Sequence, residues 1–98
     1  MKDIFKEYIC RVCGLDLQSL PQHLALTNRE PFHQDGYSTF NICPCCDSES
    51  GYEDSSLEST RKARQDWVER GYSWFDRRFK PLNWDPSIQQ KQIPSKWF

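Results

Sequence analysis

Cys10-Arg11-Val12-Cys13-Gly14 and Cys43-Pro44-Cys45-Cys46 are the stretches that decide the architecture. Each holds a C-x2-C pair, and 29 residues separate Cys13 from Cys43. Two intervening residues let a tight turn bring both thiols to one side while its backbone N–H groups point toward the sulfurs. A tetrahedral zinc ion held by four sulfurs at about 2.3 Å needs them roughly 3.8 Å apart, which two such turns can supply. Gly14 permits the positive φ that finishes the first turn. The second has Asp47 at that place, a residue that can also visit the left-handed region at some cost. Cys43 and Cys46 repeat the spacing of Cys10 and Cys13, and Pro44 fixes φ just after the first thiol. The expected ligand set is therefore Cys10, Cys13, Cys43 and Cys46, with Cys45 pointing off the metal. Cys43 with Cys45, or Cys45 with a histidine, is the alternative. His23 and His33 fall in the intervening loop, where a lone histidine is usually solvated.

Outward from these turns, the composition sets bounds. The chain has 98 residues, 37% of them apolar, and a mean hydropathy of −0.85. One domain with a thin core is the expectation, and a structural zinc can contribute roughly 10 kcal/mol or more in apparent terms. Four thiolates leave no open coordination position, so such a metal is structural. Arg11, inside the first turn, either offsets the charge of the thiolate centre or faces solvent. Thirteen Lys and Arg against fourteen Asp and Glu give a formal charge of −1, without the excess basicity that holds a polyanion. The five cysteines are an odd number, which suits a reduced metal-binding protein better than a secreted disulfide framework. No apolar run of membrane-span or signal-peptide type is present, so the expected compartment is the cytoplasm.

Tyr8-Ile9 and Tyr37-Ser38-Thr39-Phe40-Asn41-Ile42 read as short strands, each running into a cysteine turn. Between them, Pro21, Pro31 and Gln34-Asp35-Gly36 mark residues 18 to 36 as a long loop. From 57 to 79, Leu57, Val68, Tyr72, Phe75 and Phe79 lie within about 60° of one another on a helical wheel, the pattern of an amphipathic helix. Ser55 or Ser56 caps its start and Pro81 stops it, while Gly71 is either tolerated or ends one helix and opens another. Asp85-Pro86 opens a short helix to Gln92, closed by Pro94. The expected fold is α+β in a single domain. A zinc-ribbon unit of two knuckles on short antiparallel strands spans 8–54, a long helix 55–80, and a tryptophan-containing tail with a short helix 81–98.

Cys10-x2-Cys13-Gly14, Asn41-Ile42-Cys43-Pro44-Cys45-Cys46, Gly51-Tyr52-Glu53-Asp54, Arg64 to Trp74 with its Trp67-x3-Gly71-x2-Trp74 pattern, and Asn83-Trp84-Asp85-Pro86 together resemble the bacterial cysteine-rich CPCC family of small proteins. The resemblance covers about residues 8 to 90. It departs at Asp47, where the family usually carries glycine, and in a longer loop between the cysteine pairs. Members look cytoplasmic, and some are encoded beside secreted toxins of interbacterial competition. The resemblance thus implies an immunity role.

Two surfaces stand out as candidates for partner binding. Trp67 and Trp74 flank the main apolar stripe, and either extend the core by packing on the turns or on Trp84, or form an aromatic anchor for a partner. Asp47, Glu49, Glu53, Asp54 and Glu58 form an acidic run directly after the second turn. It is either a solvated stretch or, on a ribbon, a surface of the wrong sign for DNA and the right sign for a basic cleft such as a toxin nuclease's active site. Arg61, Lys62, Arg64, Arg77, Arg78 and Lys80 leave a second function open, a nucleic-acid-binding regulator using a basic helical face. Catalysis is not expected, because no nucleophile and base occur at interpretable spacing. The leading expectation is a non-enzymatic protein-binding module with one structural Zn²⁺, an immunity protein covering a cognate toxin. Its candidate contacts are Trp67, Trp74, Asp47, Glu49, Glu53 and Asp54.

Overall fold

The computed structural model describes residues 5–21 and 30–98. It is a small α+β fold around a cluster of cysteines. Strand β1, Lys6–Glu7, pairs antiparallel with β2, His33–Gln34, and β2 pairs antiparallel with β3, Tyr37–Ser38. The two-residue turn Asp35-Gly36, with φ of 51° and 83°, joins β2 to β3 as a tight hairpin. Residues 18 to 36 are thus not one loop: a 3₁₀ turn at Leu17–Ser19 opens the stretch and half a hairpin closes it. The strand expected over Tyr37 to Ile42 stops at Ser38, because Phe40 turns to φ 58°. Ile9 and Ile42 form isolated antiparallel bridges instead, to Asp16 and Glu49 across the two cysteine turns.

Helix α1 spans Leu57–Glu69. Ser56 caps it with a reciprocal box: its hydroxyl accepts the Ser59 N–H at 3.1 Å, and the Ser56 N–H donates to Ser59 Oγ at 3.2 Å. The helix ends well short of residue 79. Gly71 N–H donates to the Val68 carbonyl at 3.0 Å and Tyr72 N–H to the Trp67 carbonyl at 3.1 Å, the double bond pattern that a glycine at positive φ closes. Gly71 sits there at φ 78°. Tyr72, Phe75 and Phe79 therefore lie beyond α1, and the expected stripe does not form. The face that α1 buries is Thr60, Arg64 and Trp67, while Leu57 and Phe75 remain exposed. Trp67 wins because it removes the largest apolar area from water, and Arg64 is accepted beside it because carbonyls satisfy its guanidinium.

After Gly71 the chain runs irregularly through a 3₁₀ turn at Arg77–Phe79 to helix α2, Pro86–Gln90. Asp85 caps α2 through the Ser87 N–H at 2.9 Å, with Pro86 opening the first turn. The aromatic tail folds back on its own domain. Arg11 lies 3.9 Å from the Trp97 ring centroid, and the Arg64 guanidinium lies 4.9 Å from that of Phe98.

Candidate metal centre

The two cysteine turns are built alike, position for position. Cys10 N–H donates to the Leu15 carbonyl at 2.8 Å and Gly14 N–H to the Cys10 carbonyl at 2.9 Å. In the second turn Cys43 N–H donates to the Ser48 carbonyl at 2.9 Å and Asp47 N–H to the Cys43 carbonyl at 3.0 Å. Asp47 does take the left-handed place that Gly14 fills, at φ 71° against 85°. At Gly14 the requirement is stricter than backbone angle alone, since a Cβ there would collide with the carbonyl oxygen of Gln89.

Facing each other, the turns bring Cys10, Cys13, Cys43 and Cys46 into one buried group, every sulfur within 4.8 Å of the others. Cys10 Sγ lies 3.6 Å from Cys46 Sγ, and Cys13 Sγ lies 3.7 Å from Cys43 Sγ. These are close to the roughly 3.8 Å edges of a tetrahedral thiolate site, so the donor set and its spacing fit a metal ion. All five cysteines are free and buried. Burial holds the Cys13 and Cys43 thiols well above the ordinary value. For Cys46 burial acts in the same direction, but hydrogen bonds from Cys10, Cys13, Cys43 and Ser48 outweigh it and bring that thiol well below.

Cys45 is not in the group. It is fully buried, and Gln89 Nε2 approaches its sulfur at 3.5 Å and donates to the Cys13 carbonyl at 3.2 Å. Among the described residues, the four sulfurs that converge are those of the expected ligand set, without Cys45. His33 is neither a ligand nor solvated: it is buried on β2, with Nε2 2.7 Å from Asp54 Oδ2. His23 lies outside the described residues.

Three side chains hold the turns from behind, and the contacts of all three escaped the sequence reading. Arg64, read as part of a solvated basic face, is buried. Its Nε donates to the Val12 carbonyl at 2.7 Å, and its two terminal nitrogens reach the carbonyls of Arg11, Trp97 and Phe98 at 2.9, 2.7 and 2.9 Å. Its pKa is lowered, chiefly by that burial, against the pull of the nearby thiols. Arg11 neither faces water nor touches sulfur; it forms a two-pronged pair with Glu7 at 3.1 and 2.8 Å beneath the Trp97 ring. Gln89 joins α2 to both turns and accepts the Trp84 indole N–H at 2.9 Å. The sequence marked Arg11 by its place in the first turn, Gln89 only through its helix and Trp84 as a possible packing site for Trp67 and Trp74, but none of these contacts.

The candidate partner contacts divide. Trp67 is wholly buried and Trp74 nearly so; Trp84 packs on them at centroid distances of 6.3 and 5.4 Å. They are core residues and cannot meet a partner without unfolding. Asp54 is also internal, held by His33 and by the Gly51 N–H at 2.7 Å. Asp47 and Glu53 are exposed and Glu49 is half-buried. Partial desolvation raises the Asp47 carboxyl, Arg70 opposing and Cys46 and Glu53 adding to it. The basic residues do not make one helical face either. Arg77, Arg78 and Lys80 lie beyond α1, Arg64 is internal, and Arg78 is paired with Asp76 at 2.7 Å.

No family model matches the chain, and neither does any curated protein or any solved structure. No helix among the described residues is long and apolar enough to cross a membrane.

Proposed function

We propose that this chain is a non-catalytic, cytoplasmic protein-binding module built on one structural Zn²⁺ in a ribbon-like pair of knuckles, and that it acts as an immunity protein of the CPCC type, covering a cognate bacterial toxin. The observation that carries the reading is the closed set of four buried cysteines. With every ligand a thiolate, the metal has no position for water or substrate, so its work is to hold two turns in register. What it holds rigid on the outside is the second turn, with Asp47, Glu49 and Glu53 on a surface that repels nucleic acid and suits a basic protein cleft. Trp67, Trp74 and Asp54 support that surface from within.

Co-expression with the product of the neighbouring open reading frame tests the reading. A stable complex together with relief of growth arrest is the expected result. No complex and no protection, or tight DNA binding that collapses steeply with salt, defeats it.

A further inference from the structure

Phe40 and Tyr52 are 58% and 62% exposed, yet their rings meet at 5.8 Å and 54°. Two aromatic side chains of this size are held against each other on the outside of the domain by the backbone beneath them. Phe40 takes φ 58°, rare for a bulky residue, and its N–H donates to Ser38 Oγ at 3.0 Å. Tyr52 N–H donates to the Glu49 carbonyl at 3.1 Å, and Glu49 N–H to the Glu53 carboxylate at 2.8 Å. Tyr52 and the two glutamates thus belong to one compact turn, against which the Phe40 ring packs. Ile42, bridged to Glu49 and 46% exposed, extends the apolar part.

Glu53 also lines a small cleft of about 170 Å³ with Asp47, Asp66 and Arg70. Lys62 pairs with Asp66 at 3.8 Å from outside, and the Arg70 guanidinium donates to the Cys46 carbonyl at 3.1 Å, so three carboxylates face two cations and the cleft keeps a net negative charge at Asp47 and Glu53. An aromatic face beside excess carboxylate is what a cationic side chain requires: the ring quadrupole attracts the charge from one side and the carboxylate pairs with it from the other. Nucleic acid and anionic lipid carry the wrong sign for this surface.

Taking the protein-binding reading as given, we infer that the Phe40–Tyr52 pair, with Ile42, Glu49 and Glu53, is the docking surface, and that its occupant is a protein surface presenting arginine or lysine side chains. The guanidinium lies on the ring pair while the neighbouring carboxylates of Glu53 and Asp47 take its N–H groups. This moves the contact away from Trp67 and Trp74, which serve as the platform under the domain rather than its anchor.

The probe is a short peptide of alternating arginine and glycine, titrated into the ¹⁵N-labelled, zinc-loaded full chain and followed by amide shifts. The expected result is a saturable shift confined to residues 38 to 53 and the rim of the Asp47 cleft. Phe40→Ala with Tyr52→Ala, and separately Glu53→Lys, should each weaken it at least about tenfold while zinc content stays unchanged, whereas Leu82→Ala, more exposed still but remote in sequence, should not. Shifts centred elsewhere, equal binding of the glutamate-for-arginine peptide, or binding of single-stranded DNA at the same residues overturn the assignment. Peptide docking here without a complex in the co-expression experiment removes the immunity reading and leaves the surface standing. A toxin complex that survives these same substitutions undiminished removes the surface and leaves that reading standing.

Discussion

Arg64 stands 52 residues from Val12 in the chain, and its Nε donates to the Val12 carbonyl at 2.7 Å. One buried side chain of α1 thus holds the loop of the first cysteine turn, and through the Trp97 and Phe98 carbonyls it holds the tail as well. Replacing Arg64 with Met should cost roughly 3 kcal/mol or more, since several carbonyls lose their donor in a site closed to water. Arg64→Lys should recover little of that, because an ammonium cannot reproduce the guanidinium's fork. Urea unfolding at saturating zinc measures both.

Native mass spectrometry of the purified protein should show one zinc per chain. Cys10→Ser or Cys46→Ser should abolish the tightly held metal and sharply lower the melting temperature, whereas Cys45→Ser should keep it, because Cys45 is not one of the four sulfurs that converge and is engaged by Gln89. Metal loss in the Cys45 variant would overturn the ligand set.

Acid should release the metal. Burial keeps Cys13 and Cys43 protonated when no metal is bound, so zinc must displace those protons, and its affinity falls as pH drops. Chelated protein should show the opposite slope. A thiol whose folded pKa is raised stabilises the fold below its unfolded value, about 8.5, and that contribution is lost as pH climbs through the folded one. Cys46, shifted downward, offsets part of this. Thermal melts should therefore show the zinc form gaining stability upward from about pH 5 and the chelated form losing it only above about pH 8.5.

Two glycines at positive φ offer a controlled comparison. Gly71→Ala should cost about 1 kcal/mol, the strain of a left-handed residue in open space. Gly14→Ala adds a collision with the Gln89 carbonyl and with Ile93, so it should cost clearly more and loosen α2 from the turns. Equal melting shifts for the two would contradict the close packing of α2 on the first turn.

Trp67→Ala should behave as a core deletion, costing roughly 3–5 kcal/mol, and not as the loss of a surface contact. A folded, equally stable Trp67→Ala protein with altered partner affinity would restore it to the interface.

The cysteine turns were legible because their geometry is local. Two residues between thiols, a residue tolerant of positive φ at Gly14 and Asp47, and the start signals at Ser56 and Asp85 each act within a few positions of the chain. The Asp35-Gly36 turn was legible for the same reason, although the strand His33–Gln34 beside it was not, since two polar residues carry no strand pattern.

Helical periodicity failed at Gly71 because a wheel continues through a stop that hydrogen bonds from Gly71 and Tyr72 impose. It also placed Arg64 outside, since a charged side chain reads as solvated until carbonyls from distant segments are seen to surround it. The local chemistry of the sequence determined where four thiols could converge and where helices begin. Which polar groups became interior, which tryptophans became core, and which aromatics were left facing out was decided only when distant segments met. Burial is a property of the assembled chain, and a sequence states only which groups are able to bear it.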